Sequence, residues 1–244
     1  METTYWREAN DQAYVLNNNV HIWLIRYDQS ESILAESGII LSKEEKERAS
    51  RFHFEIDHRR YSVTRSLLKK ILGKILSKPA LKIKFTFNKY GKPELVQQSE
   101  KIFFNVSHSG NLGLIAISDI AQIGVDVEKY REEMITGDIA KRFFSDLEVT
   151  EFLSLNENEK LQGFFNCWTR KEAFIKAVGK GLSIPLNTFD VSLIPGSQTE
   201  LRDVRYKNET ADGWHLSDIK VDSGYAAAFI IKAKTFSVNY WYTC

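Results

Sequence analysis

The chain has almost nothing with which to cross-link itself. Its 244 residues include two cysteines, Cys167 inside an apolar helical pattern and Cys244 at the very end. Neither placement suggests a disulfide framework or a metal cluster, and both fit a reducing compartment. Charge of one sign is missing too. Thirty-three Lys and Arg stand against 32 Asp and Glu, a net charge of +1, so no global field draws nucleic acid or an anionic membrane. Any phosphate site must be built locally. No stretch approaches the ~20 apolar residues of a membrane span, and METTYWREANDQAY has no apolar core of signal-peptide length. No low-complexity linker interrupts the chain. These absences predict a soluble cytoplasmic protein with neither nucleic acid nor membrane as partner. Its length allows one large domain or two of about 120 residues each.

The most informative stretch runs from Phe164 to Leu186, FFNCWTRKEAFIKAVGKGLSIPL. At ~100° per residue, Phe164, Cys167, Trp168, Phe174, Ile175 and Val178 share one apolar arc, which predicts an amphipathic helix stopped by Gly179. Glu172 and Lys176 sit one turn apart at its edge, where a bare i,i+4 ion pair contributes only ~0.3–0.5 kcal/mol. Lys171 projects near the middle of the arc, so it must snorkel or find an anion.

Upstream, Val20 to Ile25 reads as a buried strand. Ser42-x-x-Glu45 is a capping box opening a helix with Arg48 and Arg51. A second helix starts near Asp57 and carries Arg59, Arg60 and Arg65 towards Gly73. These cations either converge on a phosphate or form solvated faces. Lys82 to Asn88 alternates as a strand and leads into the turn Asn88-Lys89-Tyr90-Gly91-Lys92-Pro93. Ile102–Ser109 and Leu114–Ile117 read as a hairpin, with Ser107 and His108 at its tip.

Ile123–Glu128, IGVDVE, puts Gly124, Asp126 and Glu128 on one strand face. Two carboxylates so spaced can share a hard divalent cation. A second capping box, Ser145-x-x-Glu148, opens a helix through Phe152. Strands follow at 189–194, 214–221 and 225–231, the last two joined by Asp222-Ser223-Gly224. Residues 20–117 and 123–231 thus repeat one order of elements, strand, two helices, strands, which predicts an α+β fold of two similar halves.

FNVSHS at 104–109, IGVDVE at 123–128 and WTRKEAFIKAVGKG at 168–181, together with Tyr90-Gly91-Lys92-Pro93, resemble the surfactin-type (Sfp-type) 4'-phosphopantetheinyl transferases. The resemblance covers about residues 40 to 190. It implies two α+β halves, 1–119 and 120–244, related by a pseudo-twofold axis with the active site at their interface, in a monomer that is a pseudo-dimer. It implies Mg²⁺-dependent transfer of the phosphopantetheine arm of coenzyme A to a serine of an apo acyl or peptidyl carrier protein, releasing 3',5'-ADP. On the matching positions, Asp126, Glu128 and Glu172 would hold Mg²⁺. Glu172, Lys176 and His108 would be catalytic. Arg48, Arg60, Lys92, Ser107 and His108 would bind the coenzyme. Glu45 departs from the pattern, because some relatives carry a lysine there; Thr169 and Arg170 fall at positions expected to be permissive. Carrier docking is expected on the apolar loop after Gly181, with Leu182 and Ile184. The alternatives are a Mg²⁺-dependent phosphohydrolase acting on coenzyme A or a nucleotide, and a binding module without turnover.

Overall fold

The computed structural model describes residues 5–96, 101–135, 137–207 and 209–242, except for the side chain of Leu182; Cys244 lies outside them. The described residues hold twelve strands and six α-helices: β1 Trp6–Glu8, β2 Asn19–Arg26, α1 Glu31–Ile40, α2 Lys43–Ser50, α3 Glu55–Ile75, β3 Phe85–Phe87, β4 Pro93–Leu95, β5 Phe103–Ser109, β6 Leu112–Ser118, β7 Ile123–Lys129, α4 Gly137–Phe143, α5 Asp146–Ser154, α6 Glu157–Val178, β8 Phe189–Val191, β9 Leu201–Val204, β10 Trp214–Asp218, β11 Tyr225–Lys232 and β12 Ser237–Tyr242. The chain divides into two compact α+β units, 1–120 with 236–244, and 121–235. Among the described residues, no helix is long and apolar enough to cross a membrane.

The first unit is built on a five-stranded sheet in the order β1-β12-β2-β6-β5. Val20, Ile22, Trp23, Leu24 and Ile25 of β2 are all buried, as expected of a strand covered on both faces. The long helix α3 lays Val63, Leu67, Leu68, Ile71 and Leu72 against Trp23, Ile25, Ile115 and Ile117. Each such side chain contributes roughly 1.5–3 kcal/mol by leaving water. The Ser42 capping box forms, with Glu45 N donating to Ser42 Oγ and Ser42 N to Glu45 Oε2. Helix α3 begins two residues before Asp57 and continues past Gly73 to Ile75. The 82–88 strand shrinks to β3, because its partner is the three-residue β4 and a ribbon that short has little to extend it.

The sequence assigned 120–244 to the second half, but β12 lies in the first unit. It runs parallel between β1 and β2, with Trp241 opposite Trp23. Burial drives this return: Trp241 is 1% exposed, and its indole Nε1 donates to His21 Nδ1 at 3.0 Å. Strands β1 and β12, and helices α1 and α4, had no counterpart in the sequence pattern.

The second unit packs α6 on the antiparallel sheet β10-β11-β7. Helix α6 starts at Glu157, seven residues before Phe164, and Gly179 ends it in the left-handed region at φ 74°. That conformation suits glycine, which has no Cβ to clash. Phe164, Phe165, Cys167, Phe174 and Ile175 form the core with Phe144, Phe152 and Phe189. Of the strand expected at 189–194, only β8 is regular.

Candidate active site

Strand β7 supplies two carboxylates and helix α6 a third. Asp126 pairs with Ala228 of β11, Glu128 with Ala226 and Gly124 with Ile230. The face carrying Gly124 lies under α6, where a Cβ on the glycine would meet the backbone of Ala173 and Ala177. The D-x-E face is therefore not a solvated sheet surface; Asp126 is 2% exposed and Glu128 half-buried. Because α6 sits so low, Lys176 Nζ reaches Asp126 Oδ1 at 2.6 Å. Burial first, then the charges of Asp126 and Glu128, push Glu172 up to about 7, with Lys176 pulling the other way. Three carboxylates that sense one another and one ammonium thus share a single patch of the second unit.

Among the described residues, no group of three His, Cys, Asp or Glu side chains is arranged to hold a metal ion as it stands. The Lys176 ammonium takes the cationic position beside Asp126. The donor chemistry nevertheless fits Mg²⁺, which takes a few carboxylate oxygens and completes its shell with water and substrate oxygens. Burial raises Glu172 most and the charges of Asp126 and Glu128 add to it; a divalent cation there would favour the ionised form of all three carboxylates.

Lys171 neither snorkels nor serves this cluster. It is fully buried, bonded to Glu148 Oε2 at 2.7 Å and to the carbonyls of Leu186 and Phe189 at 2.7 and 2.6 Å. Glu148 also accepts from Val191 N and, through its capping box, from Ser145 N. This network ties α5, α6 and the start of β8 together. Arg170, expected to be permissive, is 1% exposed and bidentate to Asp218 at 2.9 and 2.6 Å, with Ser192 and Thr199 as further acceptors. Thr169 is buried as well, its hydroxyl donating to Phe165 O. Ile184 belongs to the core at 1% exposure and offers no docking surface. Leu182, its companion in that expectation, has its side chain outside the described part.

In the first unit the expected coenzyme residues fall in three places. Arg48 lines a cavity of about 450 Å³ with Glu44, Glu45, Tyr61, Arg65, Lys69, Lys84, Phe85 and Phe87. Its guanidinium lies 5.5 Å from both the Tyr61 and the Phe87 ring centroids. Arg60 is committed elsewhere: Nε and Nη2 donate to Gly110 O at 3.0 and 2.6 Å, and Nη1 to Asp57 Oδ1 at 3.0 Å. It thereby clamps the turn between β5 and β6. Next to that turn, His108 is exposed opposite Gly113, and Ser107 is buried opposite Leu114. Lys92 lies in the turn organised by Asn88 Oδ1, and burial pulls it down to about 8 against the opposing effect of Glu94. Neither Arg60, Lys92, Ser107 nor His108 lines the 450 Å³ cavity. Sequence reasoning missed Lys69, Lys84 and the aromatic walls. The clue to Lys69 was a lysine one turn after Arg65, on a helix whose neighbouring Leu67, Leu68, Ile71 and Leu72 are core.

Two family models match the chain in tandem. The N-terminal model of 4'-phosphopantetheinyl transferases matches residues 27–119, and the 4'-phosphopantetheinyl transferase superfamily model matches residues 122–230. The 4'-phosphopantetheinyl transferase HetI of Nostoc sp. strain PCC 7120 is 34% identical over 239 residues, covering 97% of this chain and 98% of that protein. The chain belongs to the 4'-phosphopantetheinyl transferase superfamily. The 4'-phosphopantetheinyl transferase Sfp of Bacillus subtilis strain 168 is 32% identical, over 77% of this transferase and 80% of its own length. The human L-aminoadipate-semialdehyde dehydrogenase-phosphopantetheinyl transferase is 27% identical over 84% and 70%. Similarity to transferases along nearly the whole chain sets the phosphohydrolase reading aside.

Proposed function

We propose that the protein transfers the phosphopantetheine arm of coenzyme A to a serine of an apo carrier protein in the cytoplasm, with Mg²⁺ held by Asp126, Glu128 and Glu172, and releases 3',5'-ADP. The observation that carries the reading is the cluster in which two strand carboxylates, a third on α6 and Lys176 share one half-buried patch. Breaking a pyrophosphate needs charge neutralisation and positioning more than covalent help, and bound Mg²⁺ would supply that neutralisation at the pyrophosphate oxygens.

The remaining work belongs to side chains. Glu172, at the edge of the cluster, would take the serine proton directly or through a water. Lys176, a compact charge on a flexible stem, would move from Asp126 to the phosphate from which the bond breaks. Arg48, Lys92, Ser107 and His108 would hold the coenzyme through its phosphates and nucleotide. Arg60 would serve the same end indirectly by fixing the turn beside His108.

Incubation with apo-carrier, coenzyme A and Mg²⁺, followed by intact mass measurement of the carrier, tests the reading. Addition of the phosphopantetheine mass, dependent on Mg²⁺, is expected. An unmodified carrier with coenzyme A consumed would show hydrolysis instead, and no change in either would reject both.

A further inference from the structure

The two strand carboxylates of the acidic patch face cations of unequal standing. Asp126 is buried and meets Lys176 Nζ at 2.6 Å. Glu128 is half-buried, and its Oε2 stands 3.5 Å from Arg131 Nη2. That separation is longer than a hydrogen bond, so charge alone holds the second pair. The Arg131 side chain is 46% exposed, and ion pairs so open to water are weak.

The backbone beneath Arg131 is firmly placed all the same. Tyr130 N donates to Gly224 O at 2.8 Å, and the Tyr130 ring lies against Phe165 of α6 with centroids 5.2 Å apart. Met134 N closes a turn onto Arg131 O at 3.1 Å. The guanidinium is thereby kept beside Glu128 although its own bond to it is loose. A divalent cation on Glu128 would meet this like charge. Lys129 offers a comparison. It is the chain neighbour of Glu128 and is exposed, but successive strand residues point to opposite faces, so its charge stands on the other side of the sheet.

We propose that Arg131 acts through Glu128 to couple metal binding to coenzyme binding. In the chain alone, the Arg131 charge opposes an incoming Mg²⁺ at Glu128. The phosphates of the coenzyme offset that charge, so the opposition is lifted when ion and substrate are present together. Arg131 is a positioning residue in this role: it biases which ligand set the carboxylates accept and takes no part in bond breaking. The proposal rests on Mg²⁺ and coenzyme A being the ligands of this patch, as argued above.

Titration of the full chain with Mn²⁺, the free ion read by electron paramagnetic resonance, tests this without turnover. It is run without carrier, with and without coenzyme A, against a blank of coenzyme alone. Arg131→Gln should tighten Mn²⁺ about threefold when the coenzyme is absent, the scale of a half-exposed ion pair, and by less than about 1.5-fold when it is present. Arg131→Lys keeps the charge and should stay near wild type. Lys129→Gln removes the same charge from the other face and should leave both affinities unaltered. Unchanged or weaker Mn²⁺ binding in Arg131→Gln without coenzyme overturns the proposal. So does equal tightening with and without coenzyme, or an equal gain in Lys129→Gln, which would show a general field instead of a specific pair. A wild-type chain that binds no Mn²⁺ under either condition overturns it too. If that chain still loads a carrier, the transferase reading survives alone; if it loads none, both fall.

Discussion

Gly124 of β7 and Ala173 of α6 are packed so closely that a Cβ on the glycine would collide with the Ala173 carbonyl, and it would stand 2.6 Å from the Ala177 nitrogen. The β11 residues opposite Glu128 and Asp126 are also small, Ala226 and Ala228. This seat of small residues lets α6 descend onto the sheet. The descent brings Lys176 within 2.6 Å of Asp126 and lets Glu172 sense both strand carboxylates. A packing feature therefore sets the geometry of the carboxylate cluster.

Gly124→Ala should displace α6 from the sheet, because the obstacle is backbone rather than a flexible side-chain tip. Overpacking of this kind costs about 1–3 kcal/mol. Transfer should fall further than stability explains, because Lys176 and Glu172 move with the helix. Urea denaturation beside a carrier-loading assay checks this; a Gly124→Ala chain with unchanged stability and full activity would contradict it.

Asp126→Asn and Glu172→Gln keep shape and remove charge. Each should reduce transfer by about two orders of magnitude or more, since metal-type charge stabilisation supplies several kcal/mol. Glu172→Gln should not lower the melting temperature, because it relieves repulsion among carboxylates, whereas Asp126→Asn also gives up the ion pair with Lys176. Near-normal rates with Mg²⁺ still required would place the metal elsewhere.

The donors of Arg60 are engaged by Gly110 and Asp57, so Arg60→Ala should cost about 1–3 kcal/mol of stability through the carbonyl left without its partner. Coenzyme binding should weaken equally with and without the 3'-phosphate. Comparing Michaelis constants for coenzyme A and its 3'-dephospho form is the check, and selective loss for one form would make Arg60 a direct phosphate ligand.

Lys171→Met should be among the most damaging substitutions in the second unit. It leaves Glu148 buried without its cation, a loss of about 3–5 kcal/mol for a broken buried pair. Glu148→Gln added to Lys171→Met should recover part of that loss, because the stranded charge is gone. Chemical denaturation of the two single variants and the double variant measures the coupling; strict additivity would deny it.

His21 provides a pH dependence. Burial lowers it from 6.5 to about 4, although Asp119 and nearby carbonyls act in the opposite direction. The unfolded chain therefore binds the proton first as pH falls. The neutral His21 contribution is present above about pH 6.5 and is lost progressively down to about pH 4, amounting to up to about 3 kcal/mol. His21→Asn preserves an acceptor for Trp241 Nε1 and should flatten the wild-type stability curve in that window. Parallel curves for the two proteins between about pH 4 and 6.5 would exclude His21 as the titrating group.

Much of this protein was written in local pattern. The alternation in IGVDVE, the capping boxes at Ser42 and Ser145 and the helical arc of FFNCWTRKEAFIKAV each depend on residues a few positions apart, so hydrogen bonding and periodicity reveal them without a fold. The same patterns, joined to the FNVSHS block, pointed to the family and to Asp126, Glu128, Glu172 and Lys176. Tertiary structure decided the rest, because the deciding partners are distant in the chain. Lys171 found its anion in Glu148, on a different helix, and Arg170 met Asp218 across 48 residues. Arg60 met the Gly110 carbonyl across 50. Strand β12 left the second half to pair with β2 because burial of Trp241 beside His21 outweighs proximity in sequence. Periodicity places a residue on a face; only the packed fold determines which charge it meets there, because desolvation and pairing depend on everything that surrounds it.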